Sequence, residues 1–204
     1  MTELKHPAQY SPEVIDVLRT LIKPGDYVYD PFAGTGLRLG ALCDELGCRF
    51  MGGDIEDWPG KDDRVFIADA LDAKLYPQDP FIVVTSPVYQ NKRLGDYCNG
   101  PTPNTKTKGR RDYGISLGRA LSSKNLARVT GRKSKEADYW ALHRIAVKNW
   151  PDRVIVNVDS PISARWQDLL IEAGYTALDI HKAYTRRDRG VGCADHEVVL
   201  VARR

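Results

Sequence analysis

Asp30-Pro31-Phe32-Ala33-Gly34-Thr35-Gly36 joins a carboxylate to two glycines, which let a backbone turn sharply and approach a ligand with no side chain between. No Lys-Ser/Thr pair follows, so this is not a phosphate-cradling loop, and Leu39 occupies the third glycine position of a dinucleotide fingerprint. The chemistry that remains is close backbone contact with a ligand that brings no pyrophosphate. Asp54 lies eighteen residues beyond Gly36 and is followed by Ile55 and Glu56. A carboxylate there is suited to accept both hydroxyl hydrogens of a ribose. At Asp69-Ala70 a second carboxylate is placed to accept from an adenine amino group. Either acid alone is more commonly a helix cap or a surface charge. Together, at successive strand ends beside a glycine loop, they outline an adenosine-shaped site. Thr85-Ser86-Pro87-Val88-Tyr89 adds a hydroxyl, an N–H-free proline and an aromatic ring, although in isolation it reads as a turn after a strand.

The elements that must position these groups alternate. Pro12–Leu21 carries apolar residues at Val14, Val17, Leu18 and Leu21, a helical spacing, with Ser11 as N-cap and Pro12 at the first helical position. Residues 27–29 read as a short strand, and Leu37, Ala41, Leu42 and Leu46 mark a helix. Arg49–Gly53, Val65–Ala68 and Phe81–Thr85 are short apolar stretches bounded by Gly, Asp and Pro, the pattern of buried parallel strands. After about fifty residues without periodicity, Ala137–Trp150 reads as a helix, Val154–Val158 as a strand and Ile162–Ala173 as a helix closed by Gly174. Ala177–Ala183 and Glu197–Ala202 are closing strands. Such alternation predicts an α/β fold whose mainly parallel sheet has helices on both faces and binds ligands beyond the carboxyl ends of its strands.

The segment Asp30–Gly36 resembles the cofactor motif of the S-adenosylmethionine-dependent DNA methyltransferases that modify exocyclic amino groups, adenine N6 or cytosine N4. Ser86-Pro87-Val88-Tyr89 is similar to that family's catalytic Ser/Asp/Asn-Pro-Pro-aromatic motif, with Val88 at the second proline. His6–Leu18, which contains Tyr10, resembles the N-terminal segment that contacts the methionine part of the cofactor. The likeness is specific over residues 6–91 and architectural over 137–204, and it is closest in kind to small phage or bacterial enzymes. It implies a Rossmann-like class I methyltransferase domain with a seven-stranded sheet and a terminal antiparallel strand. It also implies S-adenosyl-L-methionine as cofactor, held by Tyr10, Asp30, Pro31, Phe32, Gly34, Thr35, Gly36, Asp54, Ile55, Asp69 and Ala70. In the implied mechanism the Ser86 hydroxyl and the Pro87 carbonyl accept the two amino hydrogens, freeing the nitrogen lone pair for in-line attack, and Tyr89 stacks on the base. Serine in the motif favours cytosine N4 over adenine N6.

Charge is distributed unevenly. Residues 91–135 carry twelve Lys/Arg against two acids, a net +10, whereas the rest of the chain is at −7. That asymmetry points to a polyanionic partner, with a solvated charged loop as the plain alternative. Within a single domain over 1–204, the basic insertion 91–135 would take the place of a target-recognition domain, with Lys92, Arg93, Arg110, Arg111, Arg132 and Lys133 as candidate phosphate contacts. RNA in place of DNA, or a non-catalytic nucleic-acid-binding module motivated by Val88, are the competing readings. No cysteine follows Pro87 closely enough for covalent attack on a cytosine ring, and the four histidines lack metal-ligand spacing. Asp195-His196-Glu197, just before the final strand, is expected to be a solvated turn. Four scattered cysteines, no apolar run near the roughly 20 residues of a membrane span and no secretory signal suit a reduced, cytoplasmic protein.

Overall fold

The computed structural model describes residues 10–87, 122, 125, 136–184 and 196–204. Seven strands form one sheet: β1 (Tyr27–Asp30), β2 (Arg49–Asp54), β3 (Val65–Ile67), β4 (Ile82–Thr85), β5 (Arg153–Asp159), β6 (Ala177–Tyr184) and β7 (His196–Arg203). Among the described residues four α-helices accompany them: α1 (Pro12–Leu21), α2 (Leu37–Leu46), α3 (Glu136–Lys148) and α4 (Ser163–Glu172). The strand order is β3-β2-β1-β4-β5-β7-β6. Strands β3 through β5 pair in parallel, and β7 runs antiparallel to both neighbours. The order reverses between β1 and β4, since β2 and β3 lie on one side of β1 and all later strands on the other.

Strand burial explains why the apolar stretches read as continuous rather than alternating. In β5, Val154, Val156 and Val158 belong to one apolar cluster and Ile155 to the other. Strand β7 divides likewise, with Val198, Leu200 and Ala202 on one face and Val199 and Val201 on the other. Because successive side chains point to opposite faces, a strand covered on both sides must be apolar at both parities. Tyr139, Trp140 and Val147 of α3 with Trp166, Leu169 and Leu170 of α4 cover the first face. Val14 and Leu18 of α1 with Leu39, Leu42 and Cys43 of α2 cover the second. Ser11 caps α1 by accepting from the Val14 N–H at 3.3 Å.

Helix α2 presents a different stripe from the one its leucines suggested. Leu37 is 46% exposed and Ala41 is exposed, while Leu39, Gly40, Leu42 and Cys43 are buried. Gly36 sets that phase. It opens the helix with φ 68°, and a Cβ there would lie 2.4 Å from Val65 Cγ2. The helix start is therefore pressed against β2 and β3, and the face containing residues 36, 40 and 43 turns inward. Among the described residues no helix is long and apolar enough to cross a membrane.

Candidate active site at the carboxyl edge of the sheet

Strands β1 and β4 leave the sheet side by side at the point where strand order reverses, with Tyr29 in register with Val83. The crevice beyond such a reversal is where ligands bind in open α/β sheets. Asp30 bridges it. Its Oδ1 accepts from Thr85 Oγ1 at 2.6 Å and from the Phe32 N–H at 2.9 Å, and its Oδ2 accepts from the Tyr10 hydroxyl at 3.2 Å. Three elements distant in sequence thus meet on one carboxylate. Asp30 is only 2% exposed, and burial pushes its pKa up to about 7 against the opposing pull of those three donors. The Arg38 guanidinium also donates to the Tyr10 carbonyl, tying the segment before α1 to the start of α2.

The glycine loop is strapped to the end of β2. The Gly34 N–H, at φ 57°, donates to Asp54 Oδ2 at 2.8 Å, and the Ala33 N–H donates to the Gly53 carbonyl at 3.0 Å. Asp54 Oδ1 accepts from the Glu56 N–H at 2.8 Å and from the Trp58 indole at 3.1 Å. Burial, with the Glu56 charge nearby, raises Asp54 to about 6. With two donors on Oδ1 and one from Gly34 on Oδ2, Oδ2 is the oxygen with room for a further donor. Pro31, Gly34, Thr35 and Gly36 are buried, and Phe32 and Ile55 are half-buried beside them. At the end of β3, half-buried Asp69 accepts from the Leu71 N–H at 3.0 Å, and the carbonyl of Ala70 accepts from the Tyr76 hydroxyl at 2.9 Å.

Beyond β4, Ser86 is half-buried and Pro87 buried. The Asn157 side-chain amide donates to Ser86 Oγ at 3.5 Å and to Glu197 Oε2 at 3.2 Å. For Glu197 this corrects the reading of Asp195-His196-Glu197 as a solvated turn; Asp195 lies outside the described residues. Glu197 is 3% exposed and lies within β7, because antiparallel pairing sets it opposite Asp159 and brings its side chain to the Asn157 amide. Tyr89 lies outside the described residues, as do Lys92, Arg93, Arg110, Arg111, Arg132 and Lys133. Two residues of the basic segment are described. The Ser122 N–H and the Asn125 side-chain amide donate to Glu56 Oε1 at 2.6 and 3.0 Å.

Thr85, Asn157, Glu197, Glu56 and Trp58 are therefore at this edge although the sequence motifs did not single them out. Asn157 had a legible sign, a lone amide inside the apolar run Val154-Ile155-Val156-Asn157-Val158. His143 lies behind Phe32, with ring centroids 5.6 Å apart. Its Nδ1 must donate to the Tyr139 carbonyl at 2.8 Å, and burial lowers its pKa to about 4, so the ring is neutral near pH 7.

No protein-family profile matches the sequence, and no curated protein does. Solved structures do match in fold. Magnesium protoporphyrin IX methyltransferase from Synechocystis, with S-adenosylmethionine bound, aligns at a TM-score of 0.53 and 12% identity over 98% of this chain and 88% of its own. Precorrin-6y C5,15-methyltransferase from Geobacter metallireducens gives 0.52 and 11% identity over 96% and 91%. A TehB-like S-adenosylmethionine-dependent methyltransferase from Corynebacterium glutamicum gives 0.50 and 12% identity over 93% and 86%. The chain has the Rossmann-like fold of S-adenosylmethionine-dependent methyltransferases.

Proposed function

We propose that this protein transfers a methyl group from S-adenosylmethionine to the exocyclic amino group of a base in DNA, with cytosine N4 favoured over adenine N6. One observation carries the reading. The Asp30 carboxylate, which opens the glycine loop, holds Thr85, the residue before Ser86-Pro87, at 2.6 Å. A cofactor loop and an amino-activating turn therefore share one crevice.

The donor set fits the cofactor. A nucleoside brings ribose hydroxyls and an amino group, all donors, and this edge supplies acceptors at Asp54 and Asp69. A sulfonium brings positive charge. Asp30 is a buried and Asp54 a half-buried carboxylate, both raised in pKa, and among the described residues neither meets a Lys or Arg. When bound, the cofactor supplies an electrophilic methyl group on sulfur. Asp54 Oδ2 would accept from a ribose hydroxyl while its other contacts hold the Gly34 turn in shape. Tyr10, through Asp30, would close the methionine side.

An exocyclic amino nitrogen is a weak nucleophile because its lone pair is delocalised into the ring. The Ser86 hydroxyl oxygen and the Pro87 carbonyl would each accept one amino hydrogen, drawing the nitrogen toward tetrahedral geometry. Aligning both reactants contributes several kcal/mol of barrier reduction. Tyr89 would stack on a base taken out of the duplex, offsetting an extrusion cost of a few kcal/mol. The bases of 91–135 would hold backbone phosphates.

The test is incubation with methyl-labelled S-adenosylmethionine and duplex DNA or RNA, followed by mass spectrometry of the digested nucleosides. Methylated deoxycytidine or deoxyadenosine is expected. A methylated ribonucleoside alone would move the acceptor to RNA, and cofactor binding with no transfer would leave a non-catalytic module.

A further inference from the structure

We propose that Arg38 holds the carboxylate of the cofactor's methionine part and so selects an amino-acid-bearing nucleoside over a plain one. The inference rests on the cofactor half of the function proposed above and not on the acceptor. Arg38 lies two residues beyond Gly36, in the first turn of α2, and is exposed. Its Nη1 donates to the Tyr10 carbonyl, while the Tyr10 hydroxyl donates to Asp30 at the end of β1. The guanidinium therefore stands where the glycine loop, the segment before α1 and the crevice meet.

Charge sets this arginine apart. Arg19, Arg49, Arg64, Arg144 and Arg153 each pair with a carboxylate. Arg38 donates to a neutral carbonyl, and no acid among the described residues bonds it. A guanidinium carries five N–H groups in a planar fork. With Nη1 on Tyr10, the edge formed by Nε and Nη2 is left, and that edge can grip a carboxylate through two parallel bonds.

The order of the strand ends says which way such a ligand would run. With its nucleoside on Asp54 and Asp69, at the ends of β2 and β3, and its sulfur facing Ser86, after β4, the cofactor would cross the end of β1. Its amino-acid arm starts at the sulfur and would lie on the side of Asp30 and Tyr10. That arm carries one carboxylate. Of the charged residues described at this edge, Asp30, Asp54, Glu56 and Asp69 are acids and Arg38 is the cation. A guanidinium here offsets the repulsion that those acids would otherwise impose on the arm.

The test is a cycle that removes the guanidinium from the protein and the carboxylate from the ligand. Calorimetry gives the affinity of S-adenosylmethionine and of its decarboxylated analogue for wild type, Arg38→Gln and Arg38→Lys. Glutamine keeps an N–H to offer the Tyr10 carbonyl but carries no charge. We expect Arg38→Gln to lose about tenfold in affinity for S-adenosylmethionine and to leave that for the analogue unchanged. Arg38→Lys should recover part of the loss, since an ammonium supplies charge without the two-bond fork. Equal losses for both ligands would overturn the proposal, because Arg38 would then serve only to hold Tyr10 in place. An unchanged affinity for S-adenosylmethionine would overturn it as well. Wild-type protein that binds neither ligand would overturn the cofactor assignment, and the role of Arg38 with it. Wild type that binds S-adenosylmethionine but methylates neither DNA nor RNA would overturn only the acceptor, and the cycle would still decide Arg38.

Discussion

Replacing Asp30 by Asn perturbs the centre of the site by almost nothing in shape and by a full charge in chemistry. The asparagine oxygen can keep the acceptor position that serves Thr85 Oγ1 and the Phe32 N–H, and the Tyr10 hydroxyl can turn to accept from the new amide. Asp30 is raised from 3.8 to about 7, chiefly by burial. At 1.36 kcal/mol per pKa unit, that is about 4 kcal/mol of stability linked to its proton. The native state binds more protons than the unfolded chain between the two pKa values. Stability is therefore fully present below the unfolded pKa, falls as pH rises, and levels off above pH 7. Asp54, raised to about 6 by burial, adds a smaller fall of the same sign that ends nearer pH 6. Urea unfolding of wild type and Asp30→Asn from pH 4.5 to pH 8.5 isolates the Asp30 contribution as the difference between the two profiles. The stability of wild type relative to the variant should fall by about 3 kcal/mol between pH 4.5 and pH 8.5, because the variant has no proton to lose at position 30. Parallel profiles would refute the reasoning, since they would mean that Asp30 is already ionised and hydrated in the folded protein.

Gly36→Ala should destabilise the protein by about 2–4 kcal/mol, combining left-handed backbone strain with a Cβ forced against Val65. Gly25→Ala, at φ 86° with no atom within 4 Å of its Cβ, should lose only about 1 kcal/mol, and equal losses in urea unfolding would contradict the packing argument. Asp54→Ala removes the acceptor for the Gly34 N–H, the Glu56 N–H and the Trp58 indole. It should weaken S-adenosylhomocysteine binding by about 1.5–3 kcal/mol by calorimetry, and unchanged affinity would take Asp54 out of the ribose role. Neutralising Arg110, Arg111, Arg132 and Lys133 should reduce the slope of log K for DNA against log salt by up to about 3.6, and an unaltered slope would make the insertion a solvated loop.

Much of this architecture is legible in the sequence because short-range physics dictates it. Ser11-Pro12 starts α1, and apolar stretches too short for helices become strands covered on both faces. The acids at 30, 54 and 69 fall at strand ends, as their spacing suggested. What is not legible is pairing across the sheet. Glu197 looks like a surface charge until β7 inserts antiparallel between β5 and β6 and brings it to Asn157. Glu56, two residues beyond Asp54, shows no sign in its neighbours that it will be 1% exposed and bonded to Ser122 and Asn125, more than sixty residues on. The inward face of α2 was missed because leucine count suggests one stripe, whereas contact between Gly36 and Val65 selects another.

The location of S-adenosylhomocysteine in a crystal of the complex tests the central claim most directly. Ribose hydroxyls are expected on Asp54, with the sulfur facing the Ser86-Pro87 turn across the end of β1. A groove of about 460 Å³ at the opposite end of the sheet, lined by Tyr27, Arg49, Phe50, Met51, Arg64 and Phe66, offers a clear contrast. A ligand bound there, or one whose sulfur faces away from Ser86, would contradict the account.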